Sequence, residues 1–237
     1  MDVLRRFLAV VLLFSALGVA PGAAAAELKE GQDFRVIRPP LIADRNRVEV
    51  TEFFWYGCPH CFDFEPVLAD WVRKLPPDVV FRRVPAIFPN NKWAPGARLY
   101  YTLEAMNLLE KFHAETFNAI HVERQRLDEE KVLLEWVAKK GIDTRQFGEA
   151  WASFGVQSQV QQARRTTLAA GVTAVVAYQQ KTPIADDAAA LASLVAALQG
   201  SEGTTTVVDP IAAGPDAAVA DRRGSIIDLI FHLYAPK

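Results

Sequence analysis

Phe53-Phe54-Trp55-Tyr56-Gly57-Cys58-Pro59-His60-Cys61-Phe62 runs from an apolar segment into a helical pattern through a C-x-x-C pair, and that pair holds both cysteines of the chain. Upstream, Arg47 to Tyr56 has strand character, with Val48, Val50, Glu52 and Phe54 alternating onto one face. Downstream, Phe64, Val67, Leu68, Trp71, Val72 and Leu75 recur at helical spacing, which predicts a helix from Pro59 to Leu75 with a kink at Pro66. Pro76-Pro77-Asp78 ends it, and Val79 to Val84 is a second β-rich run. Strand, thiol pair, helix, strand is the start of an α/β fold.

Two thiols one helical turn apart can close a small disulfide ring or share one mixed-disulfide exchange. Cys58 falls at the helix N-terminus, where unpaired N–H groups and the positive end of the helix dipole favour a thiolate. Pro59 suits the first helical position because its missing N–H is one the helix leaves unpaired anyway. His60 brings a ring N–H to the same sulfur. Stabilising the thiolate weakens the disulfide, so the oxidised pair becomes a strong donor of its bond.

Other uses of the pair are weaker. As a structural staple it closes a loop of about four residues, for which chain entropy gives only about 2 kcal/mol. A zinc site needs two further ligands, and His113, His121 and His232 are scattered without ligand spacing, so no metal and no small-molecule cofactor is expected. Glu52 has two readings. It is either a desolvated acid with a raised pKa, able to accept a proton from the thiol of Cys61, or a solvated glutamate on an edge strand.

Arg5 and Arg6, the apolar run Phe7 to Val19 and the small residues Ala23 to Ala26 read as an export signal, residues 1–26. The run is shorter than the ~20 residues a spanning helix needs. The mature chain is then expected in an oxidising compartment such as a bacterial periplasm, where an exposed disulfide persists. The chain has 237 residues, 51% of them hydrophobic and 23% charged, which suits a globular protein. A formal net charge of -2 with no long basic run gives no electrostatic case for nucleic acid.

Trp93 to about Ala170 is almost wholly helical in pattern. Its clearest helix is expected to start at Asp128 as N-cap and to stop at Lys139, Lys140 and Gly141, with Asp143 or Thr144 capping the next. Such a block between two halves of a sheet reads as an inserted helical domain. Tyr100, Tyr101, Phe112, Phe117, Trp136, Phe147 and Trp151 are read as its core. The expected organisation is residues 27–90 as the first α/β part, 91–170 as the insertion and 171–237 as the second α/β part with an Ala-rich tail.

Glu52-Phe53-Phe54, Cys58-Pro59-His60-Cys61, Phe64-Glu65-Pro66 and Leu99-Tyr100-Tyr101-Thr102-Leu103-Glu104-Ala105 together resemble the DsbA-type periplasmic thiol:disulfide interchange proteins. The resemblance covers about Arg47 to Val172. It implies a thioredoxin fold with a helical insertion, Cys58 as the attacked sulfur, Cys61 as its buried partner and Glu52 as the buried acid beneath them. The reference thiol pKa values of thioredoxin (about 7) and DsbA (about 3.5) belong to those proteins, and their difference is worth roughly 5 kcal/mol, or on the order of 100 mV.

The sequence departs from this family downstream. The resemblance implies a cis-proline after Gly171-Val172-Thr173-Ala174-Val175, and Val176 stands there instead. A non-proline cis bond costs about 2.5–4 kcal/mol, so Val175 and Val176 make an atypical wall for a substrate groove. Thr182-Pro183 is the nearest substitute. Asp186 to Ala220 is Ala-rich without an aromatic residue, Asp187 to Leu198 has helical pattern, and Gly200 to Arg223 reads as turns and loose chain. Either this tail is divergent or frame-shifted, or it still completes the sheet through Thr204 to Val208.

The resulting expectation is a monomeric periplasmic oxidase that donates its disulfide to reduced, unfolded exported proteins. Reoxidation by a DsbB-type membrane quinone-linked oxidase is what the resemblance implies. The alternatives are a thiol reductase or isomerase, and a non-enzymatic binding or chaperone-like protein that has lost turnover with the cis-proline loop.

Overall fold

β-Branched and aromatic residues make the strand that carries the site, and its neighbours bury it. A computed structural model describes residues 35–36, 48–88, 92–172, 205–208 and 230–234. Strand β1 is Arg35–Val36, β2 is Val48–Phe54 and helix α1 is Pro59–Val72. Strand β3, Val79–Pro85, follows. Five helices come next: α2 (Ala94–Ala105), α3 (Leu109–His121), α4 (Glu130–Lys139), α5 (Thr144–Ala152) and α6 (Phe154–Ala169). Two strands, β4 (Thr205–Val208) and β5 (Ile230–Tyr234), are the last described elements.

The sheet order is β1-β4-β5-β2-β3. β2 pairs in parallel with β3 and antiparallel with β5, so it is a central strand. That overturns the edge-strand reading of Glu52. Val50, Thr51, Glu52, Phe53 and Phe54 are all buried, as expected of a strand covered on both faces. β4 pairs antiparallel with β5 and with β1, so the tail does complete the sheet through Thr205 to Val208. The expectation of loose chain from Gly200 to Arg223 is thereby corrected at the β-branched run Thr-Thr-Val-Val. The expected export signal, Val175, Val176, Thr182-Pro183 and the expected helix Asp187 to Leu198 lie outside the described residues.

The helical insertion has local causes at each end of its members. Asp143 caps α5 by accepting from the Gln146 N–H at 2.9 Å, and Ser153 caps α6 by accepting from the Val156 N–H at 3.2 Å. Gly141 ends α4 with φ +73°. Its N–H bonds the Ala138 carbonyl while the Ile142 N–H bonds that of Val137, the paired reverse bonds that satisfy a helix C-terminus. The start of α4 differs from expectation. Glu129 is its N-cap, because the Asp128 carboxylate is held by two bonds from Arg126, each 2.9 Å.

Two apolar clusters divide the aromatics. Phe112, Trp136 and Phe147 pack with Leu103, Leu133 and Val137 inside the insertion, and half-buried Trp151 lies against them. Tyr100, Tyr101 and Phe117 join the sheet's own core with Val50, Phe53, Phe54 and Leu68. α2 and α3 therefore serve both cores, which fixes the insertion against the end of β2 where the cysteines lie. Among the described residues, no helix is long and apolar enough to cross a membrane.

Candidate active site

The chain leaves β2 through a tight turn in which the Cys58 N–H bonds the Trp55 carbonyl at 2.9 Å. Cys58 is the N-cap of α1, with extended backbone (φ -85°, ψ 116°) and Pro59 opening the helix. The Phe62 N–H returns to the Cys58 carbonyl at 3.1 Å. Neither cysteine is in a disulfide, and the two lie one turn apart, as the spacing requires. His60 lies on the first turn, half-buried, beside exposed Pro59.

The thiols differ in electrostatic setting. Burial pushes the Cys61 pKa well above the usual thiol range, and a hydrogen bond to the Cys58 sulfur keeps the proton on Cys61, opposed weakly by a backbone N–H of Trp55. Charge on Cys58 and on Glu52 opposes ionisation of Cys61 further. The expectation of an exposed disulfide is corrected at Cys58, which is 2% exposed, whereas Cys61, 1% exposed, is buried as the resemblance implies. Both belong to the apolar cluster of Tyr56, Phe64 and Phe54.

Beneath the thiols lies a polar network that sequence reasoning missed apart from Glu52. Arg83 stands in register with Glu52 across β2 and β3. Its Nε donates to Glu52 Oε2 at 3.0 Å and its Nη2 donates to Glu65 Oε1 at 2.7 Å. One guanidinium thus faces two buried carboxylates. Burial raises the Glu52 pKa to about 8, with the Glu65 charge adding and Arg83 opposing. His113 sets its Nε2 3.4 Å from Glu65 Oε2 and its Nδ1 2.8 Å from the Tyr56 hydroxyl. His121, two turns further along α3, places Nε2 2.8 Å from the Tyr56 carbonyl and stacks on Phe62 at 5.0 Å.

Two histidines read as scattered thus converge on the turn before Cys58. Their common face was visible in the spacing His113, Phe117, His121 along one helix stripe. Arg83 carried a signal too. An arginine in the run Val-Val-Phe-Arg-Arg-Val-Pro, paired to the strand bearing Glu52, invites a cross-strand ion pair.

Gly57 is required by a close approach. A Cβ there would lie 2.6 Å from Trp55 Cε2, and the Trp55 ring cannot simply swing aside because it stacks on Trp93 at 4.4 Å and 4°. Gly57→Ala is expected to break that stack and destabilise the protein by about 1–3 kcal/mol. Near-ultraviolet circular dichroism should show the loss of tryptophan coupling; an unchanged spectrum and melting temperature would count against the contact.

Residues 49–178 match the family model described as a DSBA-like thioredoxin domain. The thiol:disulfide interchange protein DsbA of Azotobacter vinelandii is 38% identical over 174 residues, covering 73% of this chain and 81% of that protein. The DsbA of Bordetella pertussis is 40% identical over 170 residues, 71% of this chain and 80% of that one. The crystal structure of Pseudomonas aeruginosa DsbA superposes with a TM-score of 0.59 at 35% identity, over 62% of this chain and 77% of that one. The oxidoreductase DsbA of Xylella fastidiosa does so with a TM-score of 0.57 at 28% identity, over 62% and 81%.

Proposed function

Since the chain belongs to the DSBA-like thioredoxin family and is a protein disulfide oxidoreductase, we propose that it works in the oxidising direction, through Cys58 and Cys61, on reduced exported proteins in the periplasm. The observation that carries the reading is the asymmetry of the pair. Cys58 occupies the N-cap position of α1, at the positive end of the helix dipole, and the Cys61 thiol donates its hydrogen bond to the Cys58 sulfur. Both stabilise negative charge on Cys58 in the reduced protein, which makes the disulfide the less stable form.

A substrate thiolate attacks Cys58 of the disulfide, the Cys58–Cys61 bond breaks, and Cys61 leaves with the electron pair. Glu52, protonated at neutral pH by its raised pKa, supplies the proton that Cys61 takes up. A second substrate thiolate then attacks the substrate sulfur of the mixed disulfide, and Cys58 departs as the stabilised thiolate. The substrate dithiol is oxidised to a disulfide and the enzyme disulfide is reduced to a dithiol. Reoxidation runs the same steps backwards, with Glu52 accepting the Cys61 proton.

Pro59 and His60 shape the approach to Cys58. A DsbB-type quinone-linked oxidase fits as the reoxidising partner, and the monomer suffices for each step. Incubating the oxidised protein with a reduced, unfolded test protein should yield substrate disulfides, with none above background for Cys58→Ser. The reduction potential should lie well above the about -270 mV of thioredoxin, towards the about -120 mV of DsbA. A value near that of thioredoxin overturns the oxidising direction.

A further inference from the structure

The turn that leads into Cys58 can be built with either of two peptide orientations. The Cys58 N–H closes it on the Trp55 carbonyl at 2.9 Å, so Tyr56 and Gly57 are its central residues. Glycine in the second central place is what a type II turn requires, because that residue then takes a positive φ. Neither Tyr56 nor Gly57 has positive φ, which makes the turn type I. The two forms differ by a half-rotation of the Tyr56–Gly57 peptide, and glycine permits both.

The carbonyl of that peptide is held by a side chain from another element. His121 Nε2 lies 2.8 Å from the Tyr56 carbonyl oxygen. A carbonyl oxygen only accepts, so this ring nitrogen is the donor. The imidazole is itself fixed from two sides. It stacks on Phe62, the residue after Cys61, at 5.0 Å and 16°. Its backbone ends α3, where the Val122 N–H bonds the Asn118 carbonyl and the Gln125 N–H that of Ala119, both at 2.9 Å. Arg124, at φ +57°, turns the chain there. His121 therefore meets the C-x-x-C pair on both flanks, at Tyr56 before Cys58 and at Phe62 after Cys61.

We propose that His121 is a positioning residue for thiol exchange: by donating to the Tyr56 carbonyl it locks the turn before Cys58 in its type I form and keeps the negative end of that peptide engaged away from the reduced sulfur. This rests on the attack at Cys58 proposed above. Each peptide unit carries a dipole of about 3.5 D, and the one that would rotate ends a single residue before Cys58. Dipoles already in place stabilise a charge without having to reorient when it forms. Without the donor, the peptide is free to rotate and its carbonyl oxygen keeps an uncompensated partial negative charge beside the site. Both effects disfavour an anion on Cys58. The disulfide carries no such charge, so the loss falls on the reduced form alone and the protein becomes a weaker oxidant.

The test compares His121→Gln with His121→Asn in the full-length protein. Both side chains are uncharged amides, but the glutamine amide reaches the place of Nε2 and the asparagine amide stops at that of Nδ1. Nuclear Overhauser contacts of the Gly57 amide proton read the turn: a strong contact to the Tyr56 amide proton marks type I, and one to the Tyr56 α-proton marks type II. The equilibrium of enzyme disulfide plus two glutathione thiols with enzyme dithiol plus glutathione disulfide reads the stability of the reduced form. His121→Asn is expected to gain the type II contact and to shift that equilibrium towards the enzyme disulfide by about three- to tenfold, the scale of one hydrogen bond, tenfold being about 30 mV. His121→Gln should match the wild type in both. Equal behaviour of the two variants overturns the inference, because the bond then decides neither readout, and so does a change in only one readout. A wild-type potential close to that of thioredoxin would sink the oxidising direction, while the contrast between the two variants would still decide the role of His121.

Discussion

Arg83→Met is expected to destabilise the protein by about 3–5 kcal/mol at about pH 8 and by far less at about pH 5. Arg83 is the shared partner of two carboxylates whose side chains are only 2% and 10% exposed. Methionine has similar length and would fill the space between β3 and α1, so the loss measures charge rather than volume. Without the guanidinium, Glu52 and Glu65 lose 3.0 Å and 2.7 Å charge-assisted bonds, and Glu52 keeps no ion-pair partner among the described residues. A buried carboxylate without its partner is costly, and for Glu52 that cost grows as pH rises.

The sign with pH follows from that. Glu52 already has a folded pKa raised from 4.5 to about 8, so the native state binds a proton that the unfolded chain releases between those values. Such a group stabilises the fold fully below the unfolded pKa, and the contribution is lost as pH rises through the folded one. In the variant Glu52 loses the guanidinium that opposed its raised pKa, so stability should fall more steeply with pH than in the wild type. Urea unfolding of the reduced proteins at the two pH values checks it. Equal losses at both, or a loss under about 1 kcal/mol at the higher, would show that the ion pairs are not the source of stability.

This network also marks how far the sequence could be read. The α/β start, α1 from Pro59, the helical block after Trp93 and the C-x-x-C pair were all legible, because local periodicity and caps agree with the tertiary outcome there. Glu52 was legible only as an anomaly, a charged residue on an apolar face. What resolved it was its position between β3 and β5, and β5 comes from Ile230–Tyr234, far along the chain. The run Ile-Phe-His-Leu-Tyr has strand composition, but nothing local says which strand it will join. Arg83, Glu65 and His113 are separated in sequence and meet only because α3 packs on α1, a fact of packing that spacing does not encode. Burial of Cys58 was misread for a related reason. A helix N-terminus suggests access, whereas the Trp55–Cys58 turn folds the sulfur into the aromatic core.

Cys61→Ser is expected to turn the protein into a covalent trap for disulfide-bearing partners, the oxidised products of its own reaction among them. With Cys58 intact, the thiol of Cys58 still exchanges with disulfide-bearing partners and forms the mixed disulfide. Escape by attack from within is gone, because serine cannot replace the sulfur that lies one turn away. Intramolecular groups held in reach act at effective concentrations of ~10⁵ M or more, against millimolar external thiols, so release should slow by at least ~10³-fold. The wild type avoids the trap although the Cys61 pKa is pushed well up by burial. Proximity, together with the proton transfer proposed for Glu52, would compensate for the low thiolate fraction. Gel analysis after acid quenching of a mixture with a disulfide-bearing test protein should show adducts that disappear with dithiothreitol, abundant for Cys61→Ser and absent for Cys58→Ser. The opposite pattern would assign the attacked sulfur to Cys61 and show that the N-cap position of Cys58 does not decide which thiol meets the substrate.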